Sequence, residues 1–408
     1  MTLNDFLACQ DSLPPGTILT QTMATQPPPD FTPTQAGFEA TVGALSALTT
    51  SAKHHGQDPK DSLHRPSSHE SSHRWLSKVI PASTLEKLET NWHMGNYVII
   101  DRTTGEKHFE PMSLYVRVGM HLLYYGSEQE KLLQWQETER LLKAQSVKMG
   151  HEYDAPESKA HIEPFIESFD IRSTLHEFVE PDPAKYPNFN AFFAREIRPD
   201  ARPIADANND LVISSPADCR LTAFPTIDLA QKYWIKGFGF TVSKLLGDDD
   251  GLAQTFDGGS IVIARLAPQD YHRWHAPTGG IVQSVKEVDG TYYTVNPQAI
   301  NEPGTLDVYC ENRRSVMIVK SRSTKIAIVA IGAMLVGSIK YVNGVEAPGS
   351  KISRGQCLGA FYYGGSTVVV LCPKGSAVLA EDIVKASTGE QPCETLVKVG
   401  EKVGILTG

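Results

Sequence analysis

Three short stretches hold the side chains able to make and break bonds. In Gly364-Gly365-Ser366-Thr367 a hydroxyl follows two glycines, and a β-branched run, Val368-Val369-Val370-Leu371, leaves the turn. Adjacent glycines permit positive φ and close backbone approach. A serine placed there can attack the carbonyl carbon of the peptide bond before it. The stretch Leu266-Ala-Pro-Gln-Asp-Tyr-His272-Arg-Trp-His275-Ala-Pro carries two imidazoles three residues apart in an aromatic, proline-bounded setting. Histidine is the usual general base because it titrates near working pH. In Ser215-Pro216-Ala217-Asp218-Cys219-Arg220 a carboxylate follows a strand and a proline-fixed turn. Asp218, His275 and Ser366 supply an acid, a base and a hydroxyl nucleophile, the logic of a serine triad. Each stretch alone also fits a purely structural role: a hairpin turn with a spare serine, a pair of core histidines, a turn aspartate bonding its own backbone. Ser366 lacks a Gly-x-Ser-x-Gly elbow, so a conventional hydrolase is a poor match.

The elements around these residues read as β structure. Beyond residue 210, β-branched runs recur between turn signals: Leu211–Ser214, Ser260–Ala264, Gly280–Glu287, Tyr292–Val295, Ser315–Val319, Ile326–Ala330, Ser366–Leu371 and Leu396–Val399. One helix, Thr241–Leu246, interrupts them. Val342 to Gly359 carries a glycine turn followed by Lys-Ile-x-x-Gly-x-x-Leu-Gly. That pattern resembles the hammerhead turn of biotinyl and lipoyl carrier domains and implies a flattened, sandwich-like barrel. No exposed lysine stands at a hairpin tip in the carrier style, so a carrier function is not supported.

Upstream the pattern turns helical, from Trp75 to about Phe178. Ser83 is a candidate N-cap before Leu85. Leu114, Val118, Leu122 and Tyr125 share a helical face, and Leu132, Leu133, Trp135, Leu141 and Leu142 mark a second helix. Such stripes suit a core, and also suit helices that touch lipid. Asn188 to Arg198 reads as a short helix burying Phe189, Phe192 and Phe193, followed by an extended connector at Pro199-Asp-Ala-Arg-Pro. Residues 1–75 are rich in Pro, Thr, Ser and His. Their five histidines, His54, His55, His64, His69 and His73, lack the spacing of a ligand set, and the segment reads as disordered. The expected architecture is α+β: a disordered segment (1–75), a helical region (76–180) packed on a mostly antiparallel β body with a barrel-sandwich element, and a catalytic domain (181–408).

Composition narrows the class. The net charge is −9 and no long basic run occurs, so nucleic acid is not an expected partner. Six scattered cysteines form no CxxC pair, which signals neither a zinc site nor a disulfide framework. No metal is expected, and reduced thiols fit a cytoplasmic compartment. The longest apolar stretch, Ile326–Val336, is too short to span a bilayer. The N-terminus has no signal-peptide pattern, so any membrane contact is expected to be peripheral, at endomembranes.

Taken together, Ser-Pro-Ala-Asp218, Asp-Tyr-His272-Arg-Trp-His275-Ala-Pro and Gly-Gly365-Ser366-Thr resemble the phosphatidylserine decarboxylase family. Supporting stretches, Phe189–Arg195, Trp234-Ile-Lys-Gly, Gly290-Thr-Tyr-Tyr-Thr-Val-Asn-Pro and Gly332-Ala-Met-Leu-Val-Gly-Ser, look like its eukaryotic non-mitochondrial branch. The resemblance covers roughly residues 170–405. It implies a self-processing enzyme in which Ser366 attacks the Gly365 carbonyl and the chain is cut between them. A β chain (1–365) and an α chain (366–408) would stay associated. Ser366 would become a covalent pyruvoyl group, with Asp218 and His275 as charge-relay partners and His272 as a secondary proton donor or orienting group. A pyruvoyl carbonyl can form a Schiff base with a substrate amine and accept the electrons left at Cα by decarboxylation, so no pyridoxal phosphate is required. The leading substrate is phosphatidylserine. His-Arg-Trp-His-Ala-Pro also resembles family members that decarboxylate free tryptophan in fungal secondary metabolism. Members of the family are often homodimers.

Overall fold

The computed structural model describes residues 97–110, 150–235, 239–293, 295, 307–333, 338–362 and 366–407. The expected helices at 83–92, 114–125 and 132–142, the histidine tract and Gly365 lie outside these residues. The first described elements are strands, β1 (Tyr97–Asp101) and β2 (Lys107–Glu110), paired as a hairpin. They fall inside the region read as helical. The difference matters, because β1 pairs in parallel with a strand near the C-terminus. The sheet of the catalytic body therefore reaches upstream of residue 181.

The β body begins with β3 (Val212–Ser214) and β4 (Cys219–Phe224). Then come β5 (Ser260–Leu266), β6 (Arg273–His275) and β7 (Gly280–Val288). A long hairpin follows, β8 (Arg314–Ser321) and β9 (Thr324–Gly332). Next are β10 (Ser338–Tyr341), β11 (Lys351–Ile352) and β12 (Cys357–Tyr362). The last four are β13 (Ser366–Cys372), β14 (Ala377–Leu379), β15 (Glu394–Val397) and β16 (Lys402–Leu406). Ten of these form one sheet in the order β11-β7-β8-β9-β13-β5-β4-β15-β1-β2. Two three-stranded sheets, β10-β12-β6 and β14-β16-β3, complete the body. Every pairing is antiparallel except β1 with β15. With its short helices the architecture is α+β. Of the stretch Tyr292–Val295, read as a strand, the described residues Tyr292, Tyr293 and Val295 belong to no strand, and an isolated bridge stands just before it at Thr291. The stretch is instead held by the Asn312 side chain, which pairs with the Tyr293 N–H and carbonyl.

Strand β13 shows why its sequence is an unbroken apolar run. It lies between β5 and β9, and all seven residues are buried. Side chains alternate across a strand. Val369 and Leu371 enter one core, with Phe224, Ile263 and Ile331. Val368, Val370 and Cys372 enter the other, with Ala264, Trp274 and Phe361. Both faces are covered, so no polar alternation survives. A third, aromatic core joins Phe189, Phe192 and Phe193 to Phe165, Phe178 and Tyr271. The helix Phe189–Phe193 starts where read, capped by Asn188, whose side-chain oxygen accepts the Ala191 N–H at 2.8 Å. Helices at Ile227–Tyr233, Asp250–Thr255, Val308–Glu311 and Glu381–Thr388 add to the expected one at Val242–Leu245. No helix among the described residues is long and apolar enough to cross a membrane.

Gly359 of β12 pairs with Trp274 of β6. A Cβ there would lie 2.2 Å from the indole and 2.6 Å from the Lys340 carbonyl. The indole is buried against Phe361, at 4.7 Å between ring centroids, and cannot retreat. Gly359→Ala is expected to destabilise the fold by about 1–3 kcal/mol, the range for an overpacked core. The measurement is urea unfolding; an unchanged midpoint would refute the clash.

Candidate active site

Ser366 opens β13, opposite Leu266 of β5 and Gly332 of β9, and is fully buried. Its Oγ lies 3.3 Å from Nδ1 of His272. The turn after β5 delivers that imidazole. Asp270 shapes the turn: its carboxylate accepts the Ala267 N–H at 2.7 Å and pairs with Arg220 of β4. Nε2 of His272 lies 2.9 Å from the Ala267 carbonyl. A carbonyl only accepts, so Nε2 carries the proton and Nδ1 of the neutral ring is the acceptor. The Ser366 hydroxyl therefore donates to Nδ1. Phe193 stacks on the imidazole at 4.0 Å, with 26° between the rings. Burial, reinforced by the nearby Arg195 charge, pushes His272 down to about 3. The imidazole is neutral at working pH, a standing acceptor for the serine proton.

His275, on β6, is fixed in the other tautomer. Its Nδ1 donates to the Gly355 carbonyl at 2.8 Å, and its Nε2 accepts from the Tyr271 hydroxyl at 3.2 Å. Burial lowers its pKa, opposed by the Gly355 bond and the Asp218 charge. Asp218 does not bond its own turn. Its carboxylate takes Arg202 through Nε, 3.0 Å from both oxygens, and through Nη2 at 2.6 Å. It also accepts the Val399 N–H at 2.8 Å. Arg202 shares its Nη2 with Glu177 at 2.8 Å. Among the described residues no hydrogen bond joins Asp218 to His275, or His275 to Ser366. The structure brings His272 to the serine, holds Asp218 on Arg202 and holds His275 between the Gly355 carbonyl and the Tyr271 hydroxyl.

Four participants were not singled out from the sequence as site residues: Tyr271, Phe193, Arg202 and Arg195. Tyr271 directly precedes His272, and Phe193 and Arg195 lie in the Phe189–Arg195 stretch. No local signal marks Arg202, which reaches Asp218 across 16 residues.

A family model described as phosphatidylserine decarboxylase matches residues 189–405. Phosphatidylserine decarboxylase proenzyme 3 of Schizosaccharomyces pombe is 39% identical over 81% of this chain, which covers 33% of that protein. Proenzyme 2 of Oryza sativa is 35% identical over 83% of this chain and 54% of its own length. The proenzyme of Clostridium perfringens is 37% identical over 62% of this chain and 83% of its own length. The chain thus spans about a third of the length of the fission-yeast relative and most of the bacterial one.

The burial of His272 has a consequence for stability. The folded chain takes up that proton only near 3, against 6.5 for an unperturbed histidine. As pH falls, the unfolded chain binds the proton first. Stability present above 6.5 is therefore expected to drain as pH drops toward 3; the lowered pKa of His275 acts in the same direction. Denaturant midpoints of Ser366→Ala protein, taken at stepped pH, should fall through that window. Adding His272→Gln should make the slope shallower; equal slopes would contradict the assignment.

Proposed function

The chain belongs to the phosphatidylserine decarboxylase family, and we propose that it is a self-processing, pyruvoyl-dependent carboxy-lyase that converts phosphatidylserine to phosphatidylethanolamine and carbon dioxide. The contact between Ser366 Oγ and His272 Nδ1 carries this reading. A buried hydroxyl at the head of a central strand already shares its proton with a neutral imidazole, one peptide bond after Gly365.

In the processing step His272 takes the Ser366 proton as Oγ attacks the Gly365 carbonyl carbon. An ester bond forms and the Gly365–Ser366 amide bond breaks, freeing the serine nitrogen as an amine. The Cα proton of Ser366 is then lost to a base as the Cβ–O bond breaks, which releases the Gly365 carboxylate and leaves a Cα–Cβ double bond. That enamine takes up a proton at Cβ to become an imine; water adds at Cα, ammonia leaves, and a pyruvoyl group remains. The relay that the motifs imply, Asp218 and His275 acting on Ser366, would require Asp218 to leave Arg202 and His275 to leave the Gly355 carbonyl and the Tyr271 hydroxyl that hold them here. The residues suit a pyruvoyl group at this position: the side chain is fully buried and is met by a neutral ring. Leu266 and Gly332 would hold its backbone and His272 its polar end. Such a group supplies the electron sink that draws charge from the substrate Cα as carbon dioxide leaves.

Three features support lasting association of chains 1–365 and 366–408. Strand β13 is hydrogen-bonded on both sides by strands of the longer chain. Strand β15 lies between β4 and β1, and β16 pairs with β3. Arg102 clamps Asp382 at 2.7 Å and the Lys402 carbonyl at 2.7 Å. The relatives' names favour phosphatidylserine over free tryptophan as substrate. A phospholipid substrate implies peripheral contact with a membrane surface.

Denaturing electrophoresis of active protein is expected to release a fragment spanning 366–408 with a blocked N-terminus. Ser366→Ala should stay intact and inactive, and His272→Ala should slow cleavage by about 10²–10⁴-fold, the usual worth of a positioned base. Full activity from a single uncut band would sink the proposal. Carbon dioxide release from phosphatidylserine micelles, set against free tryptophan, tests the substrate; release from tryptophan alone would reverse that choice.

A further inference from the structure

Arg195 follows the helix Phe189–Phe193 and is 2% exposed. Its guanidinium lies over the Phe178 ring at 4.3 Å and the Phe192 ring at 4.9 Å. Nη1 donates to the Phe192 carbonyl at 3.3 Å, and Nε has no partner among the described residues. The carboxylates whose charge it feels, Asp270 and Asp218, are already engaged by Arg220 and Arg202. Burial pushes Arg195 down to about 10, and its field in turn acts on His272. Phe193, two residues earlier, is the ring stacked on that imidazole.

A guanidinium taken out of water without a counter-charge is costly, and contact with two aromatic faces offsets part of that cost. An apolar side chain would fill the same space without the penalty. We propose that Arg195 is an anion-binding residue of the substrate site and that its ligand is the phosphodiester of the substrate. This rests on the decarboxylase reading above. The carboxylate that departs is the wrong anion for such a residue. A cation held on it would stabilise the bound substrate more than the transition state, in which its charge is dispersing. A phosphodiester keeps its charge throughout the reaction, and a planar guanidinium matches its oxygens in a bidentate fashion. In a serine phosphodiester the phosphorus is three bonds from Cα. One cluster thus has an imidazole for the reacting carbon and a guanidinium for the phosphate. Binding also acts on His272: the anion offsets the Arg195 charge, which lowers the imidazole less than burial does, and leaves the larger effect of burial in place.

The test uses processed enzyme and two substrates: a short-chain phosphatidylserine, and an O-alkylserine of matched length with an ether in place of the phosphodiester. Wild-type protein is expected to favour the phosphodiester at least tenfold in kcat/KM. In Arg195→Met the preference should collapse toward unity, chiefly through a raised KM for the phosphodiester, while Arg195→Lys retains part of it. Equal use of both substrates by wild-type protein overturns the assignment, and does so even if Arg195→Met fails to fold. An equal loss on both substrates in Arg195→Met indicates a structural role and also overturns it. No release from either substrate by wild-type protein defeats the decarboxylase reading itself, which loss of preference alone would leave standing.

Discussion

The hydrogen bond from His272 Nε2 to the Ala267 carbonyl is the constraint on which the site depends. It decides which ring nitrogen bears the proton, and so which one faces Ser366. The carbonyl is in place because Asp270 bonds the Ala267 N–H and is itself held by Arg220 from the neighbouring strand. Phe193 closes the other face of the ring. A strand end, a carboxylate turn and an aromatic helix thus converge on one imidazole. Its orientation is over-determined, as preorganised chemistry requires.

Buried arginines explain much of the surrounding architecture. Arg220 and Arg265 stand opposite each other across β4 and β5. Like charges in that position repel, and here each has its own carboxylate: Asp270 for Arg220, and Glu394 for Arg265 at 2.6 Å. Arg202 gathers Glu177 and Asp218 in the same way. Asp218 is consequently an anchor, whatever part it takes in the proposed chemistry. It ties the Ser-Pro-Ala turn to the Arg202 segment and, through the Val399 N–H, to the C-terminal segment. Arg195 departs from this pattern, since its neighbouring carboxylates are committed elsewhere.

The sheet would let the proposed break in the chain leave the fold standing. The peptide bond before Ser366 leads directly into a strand with ladder bonds on both sides. After it, β13, β15 and β16 make five pairings with upstream strands, to β5 and β9, to β4 and β1, and to β3. A cut at that bond would remove one covalent link and none of these pairings. The parallel pairing of β1 with β15 extends the same logic to residues 97–110.

By itself the sequence determined the candidate polar stretches around Asp218, His272 and Ser366, the β-rich body beyond residue 210 and the buried strand after Ser366. These are legible because strand periodicity, glycine turns and paired histidines are local signals. The hairpin at 97–110 was not legible: its pairing with β15 is set by contacts almost three hundred residues away. The partner of Ser366 was not legible either. His272 precedes β6 and His275 ends it, and one of the two meets the hydroxyl. Spacing alone does not say which one does. The tertiary structure decides it by placing the Ala267 carbonyl against one ring and the Gly355 carbonyl against the other, and so fixing each tautomer.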